Sequence, residues 1–369
     1  MHRSILLAAP LALTACSSPS PEGNTATATP APTATSAPVA AAAADTHASP
    51  KQGELKTFGD WAVGCDNVGD CEMASLGPEG GDFPAINLML ARTAGPAGPI
   101  TVTLMPNDGL APKAAPAGVA IDGKAVGGAF GGSDTPSVTG DTGAAIAAAM
   151  ANGRALAIRD GGGKTLATLS LKGASAALRY IDAEQGRAGT VTAIVAKGSQ
   201  PAGSVPAAPS SPQIVAVAPA GEPFAPNAAM IAAMKQQAQC DDSAHGDVET
   251  HALGGGATLV LLPCSAGAYN LISAVFVVRD GKAAPARTDA PAGFTEDGRL
   301  DRIPMLVNSD FTDGVLSSFA EGRGLGDCGD RQDFVWDGNG FRLSHEETMG
   351  ECRGNPNYIT TWSATVSRR

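Results

Sequence analysis

Aromatic side chains make up only 4% of the 369 residues, and there are just 5 histidines, against 46 glycines. Lysines and arginines are scattered, with no basic run, in a chain of net charge −11. The charge excludes nucleic acid as a partner, because such binding is driven by clustered cations that displace counterions from phosphates. With so few aromatics, the 43% apolar content is mostly small side chains, so the core must rely on Val, Leu and Ile and on cross-links. The sequence also lacks Cys-x-x-Cys knuckles, which argues against a thiolate metal centre, and Gly-x-Ser-x-Gly, which leaves a serine hydrolase without its nucleophile turn. His345-Glu346 begins like a zinc-peptidase helix, but Met349 stands where the second histidine belongs. No metal and no cofactor is expected.

The longest apolar run, Ile5 to Leu13, is too short to span a bilayer. It follows a short basic head and leads straight into Leu13-Thr14-Ala15-Cys16. This stretch resembles the bacterial lipobox, which implies that residues 1–16 comprise a signal peptide and a lipidated Cys16. Several acyl chains, at ~0.8 kcal/mol per buried CH₂, give durable anchoring. Ser17, in place of Asp, implies passage to the outer membrane, with the body facing the periplasm. The expected address is thus the bacterial cell envelope. Residues 17–52, almost wholly Ala, Pro, Thr and Ser, cannot bury enough surface to fold and read as a tether. At ~36 residues such a segment spans about 30–36 Å.

Six cysteines remain, Cys65, Cys71, Cys240, Cys264, Cys328 and Cys352, and an even number in an exported chain reads as disulfides. Their order favours pairing 65 with 71, 240 with 264, and 328 with 352. The expected fold is mainly β with a few short helices (α+β): two antiparallel β-rich domains, 53–198 and 221–369, joined by a Pro/Ala linker at 199–220. In the first, Phe58 to Val63 alternates as a strand, and Asp122-Gly123 marks a hairpin. Asp141 or Thr142 and then Ser175 are candidate helix caps, and Val191 to Val195 reads as a closing strand. In the second, Asn227 caps a helix through Ala238, and Thr258 to Leu262 leads into Cys264. Further strands follow to Trp362.

The densest stretch runs from Leu316 to Cys352. Asp333 to Trp336 and Phe341 to Leu343 flank Asp337-Gly338 as a hairpin, with Cys328 and Cys352 at its open end. With Gly322, Gly324, Gly326-Asp327-Cys328-Gly329 and Cys352-Arg353-Gly354, this run resembles the bacterial family catalogued as domain of unknown function 1176. So do Phe58-Gly59-Asp60-Trp61-Ala62-Val63-Gly64-Cys65-Asp66-Asn67 and Ala177 to Gly198. The first half, with Asp-Trp before a cysteine, is more distantly similar to the invasion-associated locus B proteins. The family implies no defined activity.

Residue chemistry marks several candidate sites. Arg323, between glycines, is either an exposed hook that holds an anion with Gly324 and Asp327 or a strap over the sheet. If it is a hook, Arg323→Ala weakens capture and leaves melting unchanged. Asp327, Asp330 and Asp333, with Asp310 and Asp313, offer oxygens suited to calcium, and His245 offers, with Asp241, Asp242 and Asp247, ligands for a divalent ion or, with Ser243, a nucleophile. Trp336, with Trp61 and Trp362, is either a glycan platform or core. The leading expectation is a non-enzymatic binding or interaction module, with an envelope protein or glycan as partner besides the membrane. Two alternatives stand beside it. One is a hydrolase of envelope glycan or ester using Asp or Glu and His345. The other is a lysozyme inhibitor, because Ser265 to Tyr269 resembles such an inhibitor loop with its glycine out of register.

Overall fold

The computed structural model describes residues 49–81, 83–131, 134–241, 244–293 and 302–369; Cys16, the tether up to residue 48, Asp242 and Ser243 lie outside them. In chain order the first half holds β1 (Lys56–Phe58), β2 (Trp61–Cys65), β3 (Cys71–Ser75), β4 (Ile86–Arg92) and β5 (Ile100–Pro106). It continues with β6 (Pro116–Ile121), β7 (Lys124–Val126), β8 (Ser137–Thr139), α1 (Asp141–Met150), β9 (Ala155–Asp160), β10 (Thr165–Ser170) and α2 (Ala174–Glu184). After β11 (Gln213–Ala216) and α3 (Ala228–Ala238) come β12 (Glu249–Gly254), β13 (Ala257–Ala266), β14 (Leu271–Arg279), β15 (Lys282–Pro285) and β16 (Met305–Val307). The chain closes with β17 (Asp310–Thr312), β18 (Val315–Glu321), β19 (Gly329–Trp336), β20 (Phe341–Met349), β21 (Ile359–Ser363) and β22 (Thr365–Arg368).

In the first half, a sheet in the order β1-β2-β3-β4-β5-β8 and a second in the order β10-β9-β6-β7 enclose a core with α1 and α2. Trp61, Met73, Leu88, Ile146 and Leu178 lie at its centre. In the second half, β12-β13-β14-β15, with β16 on β14, faces β17-β18-β19-β20-β21 across a sandwich core that holds Trp336, Phe341 and Trp362. α3 covers the outer face of the former sheet through Met234, Val260 and Phe276. That is why β13 is a continuous apolar run and not an alternating one: both its faces are buried.

A fourth apolar cluster joins the halves. Ala62, Ala74 and Leu76, on the back of the first sheet, pack with Cys328, Met349, Tyr358 and Ile359. Small residues let the layers approach. A methyl group on Gly64 would sit 3.2 Å from the Ile359 side chain. The three disulfides are Cys65–Cys71, Cys240–Cys264 and Cys328–Cys352. The second ties the end of α3 to β13, and the third closes the open end of the β19–β20 hairpin.

Several local expectations are corrected. Phe58 to Val63 is not one strand, since Gly59, at φ 60°, and Asp60 turn the chain so that Phe58 pairs with Trp61. α1 and α2 start after Gly140 and Gly173 with no side-chain cap, whereas Asn227 does cap α3 by accepting from the Met230 N–H. Val191 to Val195 is coil, because the Asp182 carboxylate takes the N–H groups of Ile194, Val195 and Ala196 and holds the segment in a loop. Residues 199–220 include β11, which pairs with β22 in parallel, so not every pairing is antiparallel. The antiparallel expectation rested on short connections, and these two strands are separated by most of the second half.

Candidate functional site

The motif residues scattered along the sequence meet in space. Arg353, beside Cys352, donates to the Asp60 carboxylate (2.6 Å) and to the carbonyls of Gly59 and Gly77 (both 2.8 Å). Arg323 forms two bonds to Asp327, Nε to Oδ1 at 2.7 Å and Nη2 to Oδ2 at 2.6 Å, and the Gly354 N–H donates to Asp327 at 2.6 Å. Burial alone would raise the Asp327 pKa, but the guanidinium and the amide outweigh it and hold the carboxyl below its usual range. The anion that Arg323 binds is therefore the chain's own. The Gly322 to Cys328 loop is a strap, and Gly324 packs against the Tyr269 ring.

The rest of this seam is equally internal. Asn67 accepts from the Ser363 N–H and donates to the Ser363 carbonyl, and Glu72 accepts from Thr360 N–H, so side chains of the first half satisfy the free edge of β21. Asn87 and Asn107 both donate to the Gly354 carbonyl. Within Ala177 to Gly198, buried Asp182 orders its loop, while Arg92 nearby is pushed down to about 10 by burial and by Arg187. These motifs hold the two halves together.

The open space lies elsewhere, in a cleft of about 780 Å³ between the start of the described chain, β11, the tip of the β19–β20 hairpin and Trp362. Its size suits a small-molecule or short-segment ligand. At its floor Arg342 bonds Asp337 at 2.7 Å and approaches Asp289 at 3.8 Å. Asp337 also accepts the N–H groups of Asn339 and Gly340, and Asp289 that of Leu343. Burial works to raise Asp337, but the two amides and Arg342 prevail and keep it ionised below the usual carboxylate range. Trp362, 9% exposed, lends one ring edge while its indole N–H donates to the Leu343 carbonyl. Ile214, Val215 and Pro212 supply an apolar wall.

The remaining candidates do not converge. Asp327 faces Arg323, Asp330 takes the Thr348 hydroxyl, and Asp333 lies opposite His345, so the expected calcium set is dispersed. Among the described residues no group of three His, Cys, Asp or Glu side chains is placed to hold a metal. His345 pairs with Glu347 at 3.2 Å, and that bond raises its pKa. Trp61 and Trp336 are core, the latter tilted against Phe341 with the Arg279 guanidinium over it. Tyr269 is half-exposed at the edge of the strap.

Sequence reasoning missed the cleft floor and the buried Glu346. Arg342 was legible only as a hairpin position, and Asp289 lay in a loop with no pattern around it. The one available signal was Asp337-Gly338, which marks the turn but not its carboxylate's partner.

The geometry is thus that of a stitched β protein with an open cleft beside β11, and the comparisons with known proteins agree in naming no activity. The uncharacterized protein YpfG of Escherichia coli (strain K12) is 31% identical, with 85% of this chain and 93% of that protein covered. The crystal structure of invasion associated protein b from Bartonella henselae covers 36% of this chain and 99% of its own, at 18% identity and a TM-score of 0.27, a likeness too slight to carry an argument. A model of a protein family of unknown function, DUF1176, matches residues 55–367, and the chain belongs to that family.

Proposed function

We propose that this protein is a binding module of the bacterial cell envelope, acylated at Cys16, held to the outer membrane by a tether and facing the periplasm, and that it works through the cleft between β11 and the β19–β20 hairpin. The lipobox-like sequence supports the address. Three disulfides among the six remaining cysteines accord with an oxidising compartment.

The observation that carries the binding reading is the state of the charges in the cleft. Arg342 bonds Asp337 and approaches Asp289, and both carboxylates accept backbone N–H groups, so they form a fixed polar floor in which Asp337 is held ionised below the usual carboxylate range. A catalytic acid needs a pKa near the working pH. Glu346, pushed up to about 7 by burial, is no part of the cleft lining. Binding, rather than hydrolysis, is what such a floor supports.

The test places a photoreactive benzoylphenylalanine at Val215, on the cleft wall, or at exposed Leu110 as control, in the full lipidated chain in its own cells. Ultraviolet light is expected to give a discrete adduct from position 215 and none from 110. No adduct, or the same adducts from both, overturns the reading.

A further inference from the structure

One wall of the cleft is made of backbone. The carbonyls of Pro212 and Ala216 accept from the N–H groups of Thr365 and Arg369 in the parallel β11–β22 ladder. Successive residues of a strand send their backbone groups to opposite edges, so those of Gln213 and Val215 point away from β22. Two residues on, along the same edge, the Val217 N–H donates to the Trp336 carbonyl at 2.7 Å, which fixes this edge as the one facing the hairpin. Gln213 and Val215 line the cleft, and Val215 is 51% exposed. Among the described residues β22 alone pairs with β11. An edge with open N–H and C=O groups and an apolar side chain is a template for another strand.

The cleft also carries unneutralised charge. Arg342 faces the two carboxylates of Asp289 and Asp337, and Lys51 and Arg369 line the same space with no ion pair among the described residues, so three cations stand against two carboxylates in the lining. On a chain of net charge −11, the open charge of this one cleft is positive.

We propose, building on the reading of this cleft as the binding site, that its ligand is an extended polypeptide bearing acidic side chains, which adds as a strand to the free edge of β11 with those side chains directed at Lys51 and Arg369. Main-chain bonds to Gln213 and Val215 supply affinity, and alternate side chains, one set on the apolar wall and one on the cations, supply selectivity. The four residues of β11 span about 13 Å, which sets the length of the recognised segment.

The full-length protein is titrated with labelled Val-Glu-Val-Glu-Val-Glu, with Val-Lys-Val-Lys-Val-Lys, and with the acidic peptide N-methylated on either its odd or its even backbone nitrogens, followed by fluorescence anisotropy. The acidic peptide is expected to bind at least tenfold more tightly than the lysine peptide, and one of the two methylated forms is expected to lose binding. Lys51→Glu with Arg369→Glu reverses the charge preference. Val215→Pro removes an N–H directed at the cleft and no bond to β22, so it abolishes binding at an unchanged melting temperature; if melting does shift, the methylated pair decides alone. Equal binding of both charge types, or full binding of both methylated forms, overturns strand addition. A cell-wall glycan fragment that protects the cleft while no peptide binds removes the polypeptide and keeps the binding site. Silence from peptides, glycan and the Val215 photoprobe together removes both.

Discussion

Glu346 lies in β20, 7% exposed, with one oxygen 3.3 Å from the Gln332 amide. Burial, reinforced by nearby Asp330 and only partly offset by Gln52, pushes its pKa up to about 7 from an ordinary 4.5. Between those values the folded protein keeps a proton that the unfolded chain has released, so stability is highest at acidic pH, falls as pH rises through this window, and levels off above it. At about 1.4 kcal/mol per unit the span is on the order of 3 kcal/mol. His345, raised by Glu347, acts in the same direction, with stability lost as pH rises through its folded value. Glu346→Gln is expected to flatten the decline in melting temperature between pH 5 and pH 8 and to raise it at the alkaline end. Arg323→Ala answers the hook-or-strap question. It leaves the Asp327 carboxylate, at 0% exposure, with backbone N–H groups and no cation, and a loss of about 2 kcal/mol is expected in denaturant titration.

At the scale of elements, β21 shows how an edge is sealed by side chains and not by another strand. Asn67→Ala strips both partners from Ser363, and amide exchange at Ser363 is expected to accelerate by one to two orders of magnitude, for about 1–3 kcal/mol of lost protection. The bridges should differ in weight. Cys328–Cys352 closes a span of 24 residues and Cys65–Cys71 one of 6, so loop entropy assigns about 3 and about 2 kcal/mol respectively. Paired Cys→Ser variants compared by chemical denaturation check that order. These elements were also the most legible in the sequence. Hairpins at Asp122-Gly123 and Asp337-Gly338 are local events in which turn chemistry and alternation agree, as is the Asn227 cap. Gly59 and the 191–195 coil were not legible, because a carbonyl of Lys172, far along the chain, decides the first and the buried carboxylate of Asp182, outside any turn pattern, decides the second. The cleft was not legible for the same reason. Its floor joins Asp289 to Arg342, and its wall depends on β11, whose partner is the last strand.

For the whole molecule, the seam decides cooperativity. The Ala62–Ile359 cluster and the bonds of Arg353, Asn67 and Asn87 couple both β-rich halves. Calorimetry is expected to show one transition for the described chain, with van't Hoff and calorimetric enthalpies in agreement. Residues 221–369 expressed alone should aggregate, since Tyr358 and Ile359 would lose their cover. Cys16→Ser should move the protein from the membrane fraction to the soluble envelope fraction. The bond between Asp60 and Arg353 has an implication in time. A ribosome delivers residue 60 long before residue 353, so the early sheet has to wait, its back face uncovered, until Arg353 and Gly354 reach it. A chain that stops at Gly350 would leave even its opening strands without the seam that covers them.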